Sequence, residues 1–462
     1  MDSVNSDLEE YARRRLKLAG FSVIGYDHPY FAPLDRLRSD FQSRGDTLVS
    51  FANYDYLGLA DDARIHNAAT AAIAEFGVGV GGSRLVGGER TFHRALEYDL
   101  ASFIGVDDTI AMVSGYGTNL SLVGHLLTKG DMILVDELAH NSIVMGSRLS
   151  RATIVEFPHN NMARLEEILK EKRSHFRRVL IVIEGLYSMD GDVPDLPKFL
   201  ELRDRYNAWL MIDEAHSIGV LGKTGRGVTE HFGLDMSGVD LVVGTMSKAF
   251  VSCGGFIGGK QVVIDWLRFT LPGFVYSVGL TPAISATVRE ALDIISREPW
   301  RVAKLRENSR YFAERARALG FNIGDAISEG IVPIIFDTSE KAMLAARALL
   351  RAGYYVPPIV QIGVPKNKPR LRFFFNASHT KAQIDGVLEA LVATTDPSRQ
   401  RAHFSSKAHM HAHLHVPAVA GAGNVVLLPG AELDPDISAP RKRAERDTKR
   451  PAVVPPQPKS LP

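Results

Sequence analysis

From Leu48 to about Glu290, short apolar runs alternate with longer amphipathic stretches. Arg178-Val-Leu-Ile-Val-Ile183, Trp209-Leu-Met-Ile212 and Asp240-Leu-Val-Val243 have strand length, and polar residues or glycines bound them. Thr109-Ile-Ala-Met-Val113 is a fourth such run. Side chains alternate across a strand, so a run that is apolar at every position needs cover on both faces. The intervening amphipathic stretches supply that cover as helices. The pattern therefore predicts an α/β layer around a mostly parallel sheet, from residue 48 to 290. Ligands in such sheets gather beyond the carboxyl ends of the strands, so the chemistry is sought just after each run.

The pattern then changes. Pro299–Gly320 and Lys341–Gly353 have helical periodicity, and Ile331–Phe336 and Leu371–Phe375 read as strands. With a final helix over Lys381–Ala393, they predict a smaller C-terminal α+β domain from 291 to 395. Residues 1–47 read as a helical arm leading into a polar turn. Residues 396–462 are rich in Pro, Ala, Arg, Lys and His, with Val425–Leu428 as a short apolar island. That segment has too little apolar surface to offset the entropy of ordering it and is expected to be a disordered tail.

Bulk composition excludes several classes. The chain has 462 residues, 45% hydrophobic and 23% charged, with 54 Lys and Arg against 53 Asp and Glu. A balance this even gives no global field toward nucleic acid. The one cysteine, Cys253, cannot form an internal disulfide. The first twenty residues hold no apolar signal core, and no apolar run approaches the ~20 residues that span a bilayer. A cytoplasmic protein is expected. His409, His411, His413 and His415 alternate in the tail, but nothing there would orient them, so no metal site is expected. The charge run Arg441–Arg450 reads as solvated, or as a weak peripheral contact with an anionic membrane surface.

Three segments at strand ends carry the candidate chemistry: Ser114-Gly-Tyr-Gly-Thr-Asn119, Asp213-Glu-Ala-His216 and Gly244-Thr-Met-Ser-Lys248. Each is unremarkable alone. Asp213 could cap a helix, and His140 or His216 could be an ordinary satisfied histidine. Together they supply the parts of a pyridoxal phosphate site. Lys248 offers the amine that forms a Schiff base with the aldehyde. Asp213 offers the carboxylate that keeps the ring nitrogen protonated, which makes the ring an electron sink. Thr245, Ser247 and the Ser114-Gly115-Tyr116 turn offer hydroxyls and backbone N–H groups for the phosphate. His140 is the candidate for a flat side chain over the ring.

With these residues in place, the stretch from about 48 to 390 resembles the α-oxoamine synthases, a branch of the aspartate-aminotransferase-like, fold type I pyridoxal phosphate enzymes. The resemblance rests on Tyr54-Asp-Tyr-Leu-Gly-Leu59, Gly82-Ser-Arg-Leu-Val-Gly-Gly88, His140-Asn-Ser142, Glu184-Gly-Leu-Tyr-Ser-Met-Asp-Gly-Asp192, Asp213-Glu-Ala-His-Ser217, Gly244–Lys248, and Arg372 with His379. It implies that Lys248 anchors the cofactor, Asp213 pairs with the ring nitrogen, His216 donates to the ring hydroxyl and His140 stacks on the ring. It also implies that Ser188 lines the pocket and that Gly115, Tyr116, Thr245 and Ser247 cradle the phosphate. Ser277 would reach in from the partner subunit of a homodimer. Arg372 would grip the substrate carboxylate, with Tyr54 and Ser83 beside the substrate.

The implied reaction joins an amino acid to an acyl thioester with loss of carbon dioxide. Tyr54 stands where the family usually carries Asn. This and His216-Ser-Ile-Gly219 resemble the serine palmitoyltransferase branch and point to L-serine. Met246–Ala249 is closer to the 8-amino-7-oxononanoate synthases, which keeps alanine or glycine as the alternative. The acyl carrier stays open between coenzyme A and an acyl-carrier protein. Transamination or lyase chemistry and a catalytically silent partner subunit are the rival readings, and the latter would lack a lysine at 248.

Overall fold

The structure is a computed structural model that describes residues 8–18, 40–43, 46–360, 364 and 367–395. The expected tail, with its histidines and basic run, lies outside these residues. The helix Leu8–Leu18 belongs to one compact unit, and the described residues from 40 to 395 belong to another.

Thirteen strands are described. In chain order they are β1 (Asp40–Ser43), β2 (Asp46–Ser50), β3 (Asp108–Met112), β4 (Met132–Asp136), β5 (Thr153–Phe157), β6 (Val179–Glu184), β7 (Trp209–Asp213), β8 (Leu241–Thr245), β9 (Gly255–Gly259), β10 (Ile331–Ile335), β11 (Tyr354–Tyr355), β12 (Pro358–Ile359) and β13 (Arg370–Phe374). Seven of them form one sheet in the order β3-β9-β8-β7-β6-β4-β5. The neighbours from β8 to β5 run parallel, and β9 runs antiparallel to both β3 and β8. The α/β layer is thus mostly parallel, as the apolar runs predict.

The reason is visible residue by residue. In β6, Val179, Ile181 and Ile183 enter one apolar core, and Leu180 and Val182 enter a second core on the opposite face. β4 divides in the same way: Met132 and Leu134 on one side, Ile133 and Val135 on the other. Each such side chain is worth ~1.5–3 kcal/mol when fully buried. The second core is closed by Leu122 and Val123 of the helix Gly115–Leu126, Ile143 of the helix Asn141–Leu149, and Ile264 and Leu267 of the helix Gln261–Thr270.

The first core continues into the C-terminal part. Leu305 and Phe312 of the helix Trp300–Ala318, with Val332 of β10 and Leu371 and Phe373 of β13, belong to it. There β10, β13 and β12 make an antiparallel sheet. A third sheet, β1-β2-β11, differs from the polar turn expected before residue 47, where the chain instead pairs Asp40–Ser43 with Asp46–Val49. Among the described residues, no helix is long and apolar enough to cross a membrane.

Candidate active site

Four parallel strands end on polar residues: β4 on Asp136, β6 on Glu184, β7 on Asp213 and β8 on Thr245. The register sets Glu184 beside Asp213 and Asp213 beside Val243. The loops after these strands bring the candidate residues to one edge of the sheet.

Asp213 is buried, and Asn119 Nδ2 donates to its Oδ2 at 2.6 Å while the Ala215 N–H donates to Oδ1 at 3.0 Å. Asn119 Nδ2 also donates to Ser142 Oγ at 3.1 Å, and Ser142 Oγ lies 2.7 Å from His140 Nδ1. The Ser142 backbone N–H also points at that nitrogen, at 3.3 Å. A backbone N–H can only donate, so Nδ1 accepts and the proton of a neutral His140 sits on Nε2. Burial, opposed by Asp213 and reinforced by Lys248 and Arg372, lowers the His140 pKa and favours this neutral form. His140 opens the helix Asn141–Leu149 as its N-cap, and its backbone N–H donates to Glu184 Oε1 at 2.6 Å.

Glu184 is a buried carboxyl whose pKa rises to about 8, through burial first and the neighbouring Asp213 second. Lys248 moves the other way. Burial lowers its pKa to about 8 against the opposing pull of Asp213 and Glu184. His216 is buried, and burial followed by the charges of Lys248 and Arg372 puts its pKa well below the usual value. The Tyr56 hydroxyl lies 2.7 Å from its Nδ1, and burial raises the Tyr56 pKa well above that of an ordinary phenol. A neutral phenol donating to Nδ1 leaves the His216 proton on Nε2, where it can serve as a donor.

Tyr54 joins this group. Its ring lies edge-on to His216 at 5.8 Å and to Phe374 at 4.9 Å, and Lys248 Nζ is 5.9 Å from its centroid. Asp55 fixes the turn that carries it by accepting from Leu59 N at 2.8 Å and Ala60 N at 3.0 Å. Arg372 of β13 donates through Nη2 to the Tyr54 hydroxyl at 3.4 Å and through Nη1 to the Ser188 carbonyl at 3.1 Å. Among the described residues, its buried Nε has no partner. Ser188 meets Arg372 through its backbone carbonyl.

The residues expected to hold the phosphate meet where β8 ends against the start of the helix Gly115–Leu126. Ser114 caps that helix by accepting from Gly117 N at 3.0 Å. Thr245 Oγ1 lies 2.9 Å from Ser247 Oγ. The Tyr116 hydroxyl donates to Asn141 Oδ1 at 3.1 Å, and its ring is edge-on to His140. A Cβ on Gly115 would lie 2.5 Å from Thr245 Oγ1 and 3.0 Å from Thr245 Cβ, so only glycine allows this approach. Gly115→Ala is expected to weaken pyridoxal phosphate binding by about tenfold or more, an overpacking cost of ~1–3 kcal/mol. Titration of the apoenzyme by visible absorbance reads this, and unchanged affinity would show that the cradle yields to the methyl group.

Ser83 and Ser277 lie on two neighbouring segments of the chain. Ser83 donates its hydroxyl to the Val275 carbonyl at 2.7 Å and forms an antiparallel bridge with Val278. Ser277 lies on that same loop, with its N–H directed to the Phe274 carbonyl. His379 is a core residue, stacked on Phe51 at 4.4 Å with its pKa lowered by burial to about 4. The structure adds Asn119, Ser142, Tyr56 and Glu184 to this group. The available signal was a polar Asn119 on the buried stripe that continues through Leu122 and Val123.

This set of groups fits pyridoxal phosphate: a desolvated amine, a buried carboxylate at a strand end, two neutral histidines with Nε2–H donors, a capped helix N-terminus with hydroxyls, and an unpartnered guanidinium Nε. The family model for aminotransferase class I and II matches residues 46–391. The 8-amino-7-oxononanoate synthase of Thermoanaerobacter pseudethanolicus is 39% identical over 75% of this chain and 87% of its own length. The serine palmitoyltransferase of Bacteroides thetaiotaomicron is 36% identical over 79% of this chain and 92% of its own. Among solved structures, the serine palmitoyltransferase of S. paucimobilis with bound pyridoxal phosphate and myriocin superposes with a TM-score of 0.77. It is 29% identical, with 84% of this chain and 96% of that one covered.

The chain belongs to the aminotransferase class I and II family, and within it to the α-oxoamine synthases. It is an acyltransferase that depends on pyridoxal phosphate.

Proposed function

We propose that this enzyme condenses L-serine with a long-chain acyl thioester, carried by coenzyme A or an acyl-carrier protein, to give an α-amino ketone. The observation that carries this reading is the contact of Arg372 with the Tyr54 hydroxyl beside Lys248. A guanidinium with an unpartnered Nε suits a carboxylate, and the adjacent phenol adds a polar group that an apolar side chain would not use.

Bound pyridoxal phosphate supplies an electron sink conjugated to the substrate Cα. Lys248 would hold the cofactor aldehyde, Asp213 its ring nitrogen and His216 its ring hydroxyl, with His140 over the ring and Ser114, Gly115, Tyr116, Thr245 and Ser247 at the phosphate. Lys248 Nζ would take the proton from the substrate Cα. A pKa near 8 leaves a useful fraction of neutral amine at neutral pH. Arg372 fixes the carboxylate and so orients the bonds at Cα. A bond then forms from Cα to the acyl carbon and the carbon–sulfur bond breaks, releasing the thiol. The carboxylate leaves as carbon dioxide and Cα regains a proton. Two copies of the chain would share the sites, with Ser277 contributed across the interface. The exposed Val86, Tyr276 and Val278 around the Ser83–Val278 bridge support that arrangement.

Titrating the holoenzyme with L-serine, L-alanine, glycine and L-threonine tests the choice of amino acid by its visible spectrum. Serine is expected to bind tightest. Tyr54→Phe is expected to weaken serine by about three- to tenfold, the worth of one hydrogen bond at ~0.5–1.5 kcal/mol, and to leave alanine less affected. Tighter binding of alanine than serine would transfer the assignment to the alternative with alanine, for which the resemblance of Met246–Ala249 already speaks.

A further inference from the structure

His159 lies outside the cofactor contacts, just after β5, and both of its ring nitrogens face carboxylates. Nδ1 is 2.9 Å from Asp136 Oδ1 and Nε2 is 2.7 Å from Asp192 Oδ2. The edge of the Tyr187 ring packs against it at 4.4 Å. Burial alone would lower its pKa, but the hydrogen bonds of the two carboxylates override this and push it up to about 10. The imidazolium is therefore a fixed cation between two partly or fully buried anions.

Asp192 closes a tight turn. Tyr187 N donates to the Asp192 carbonyl at 2.9 Å, and Gly191 N donates to the Tyr187 carbonyl at 2.8 Å. Asn160 donates to Asp192 Oδ2 at 3.3 Å and to the Val193 carbonyl at 3.0 Å. A Cβ on Gly191, where φ is +70°, would lie 2.7 Å from the Ile331 carbonyl, so the turn is seated closely on β10. The far side of the turn meets two arginines. Arg370 Nη1 donates to the Met189 carbonyl at 2.8 Å and to Asp190 at 2.7 Å. Arg372 Nη1 donates to the Ser188 carbonyl at 3.1 Å and contacts Met189 Sδ at 3.3 Å. One nitrogen of Arg372 is thus committed to this turn, and the position of the turn sets where the rest of the guanidinium points.

We infer that His159 is a positioning residue for the amino-acid substrate: it clamps the Tyr187–Asp192 turn to the end of β4 and so fixes the aim of Arg372. The inference rests on the reading that Arg372 binds the substrate carboxylate. A misplacement of ~1 Å at a positioning group can cost ~10²-fold, so the clamp has leverage out of proportion to its distance from the chemistry. Removing the cation would leave Asp136 and Asp192 facing each other without compensation.

The test uses the holoenzyme carrying His159→Gln, Asp192→Asn or Arg372→Ala. The dissociation constants for L-serine and L-alanine are read from the visible spectrum, with the KM and kcat split and pyridoxal phosphate affinity alongside. Both His159→Gln and Asp192→Asn are expected to weaken the two amino acids by the same factor, tenfold or more, with cofactor affinity changed less than about threefold. Asp192→Asn serves where His159→Gln does not fold, because it keeps the His159–Asp136 pair. If Arg372→Ala weakens the amino acids while both clamp variants bind them within twofold of the parent, the inference fails and the reading of Arg372 stands. If Arg372→Ala binds them normally, that reading itself fails. Loss of cofactor in step with amino acid would reduce His159 to a structural role.

Discussion

Lys248→Ala is expected to abolish turnover, lowering kcat by ~10⁴-fold or more, because under the proposed function the same nitrogen would anchor the cofactor and move the Cα proton. Pyridoxal phosphate would still bind, through Asp213, the histidines and the phosphate cradle. It would dialyse away, and its absorbance would match a free aldehyde. With the cofactor removed from both, the variant should be at least as stable to heat as the parent. The lysine is desolvated enough for its pKa to fall to about 8, so its removal takes a poorly solvated amine out of the interior. Turnover within tenfold of the parent would mean that another group is the base.

Asp213→Ala is expected to produce the second largest loss, ~10²–10⁴-fold in kcat, since it removes the charge that would hold the ring nitrogen protonated. It also costs stability. Asn119 Nδ2 and the Ala215 N–H lose their acceptor, and a buried donor left unpaired costs ~1–3 kcal/mol. Because Asn119 bonds Ser142, which bonds His140, the change should also loosen the ring cover and shift the spectrum of bound cofactor. Asp213→Asn separates the two effects: it preserves shape and most hydrogen bonding but not charge. Kinetics with thermal melts of both variants check this, and an Asp213→Asn enzyme with full activity would remove the ring-nitrogen role.

The parts of the fold legible in the sequence are those where burial on both faces imposes a continuous apolar run. β6, β7 and β8 read clearly for that reason, and Arg370–Phe374 and the helix Trp300–Ala318 through their own periodicity. β5 lies at the sheet edge with its first four residues exposed or half-buried, so it gives no such run. β9 reads Gly-Phe-Ile-Gly-Gly, and its glycines hide it. Those glycines exist because neighbours approach closely: a Cβ on Gly259 would lie 3.0 Å from the Asp240 carbonyl. Its antiparallel direction has no local signature at all.

The candidate site divides in the same way. Lys248, Asp213 and His216 each follow a readable strand, so their proximity follows from the rule that parallel strands end together. Asn119 and Glu184 matter through partners far along the chain, and the Glu184–Asp213 pairing appears only when β6 and β7 are aligned. His159 follows an edge strand, and its two carboxylates come from the end of β4 and from the turn after β6, so nothing in its own neighbourhood marks it. The bond from the Ser83 hydroxyl to the Val275 carbonyl likewise joins distant segments and has no local signature.

The decarboxylative condensation is tested most directly by supplying the holoenzyme with L-serine labelled at the carboxyl carbon and a long-chain acyl-coenzyme A. Released carbon dioxide, free thiol and product mass are then measured together. The account requires one labelled carbon dioxide and one thiol for each α-amino ketone formed. A keto acid that retains the label, with the thioester untouched, would contradict it.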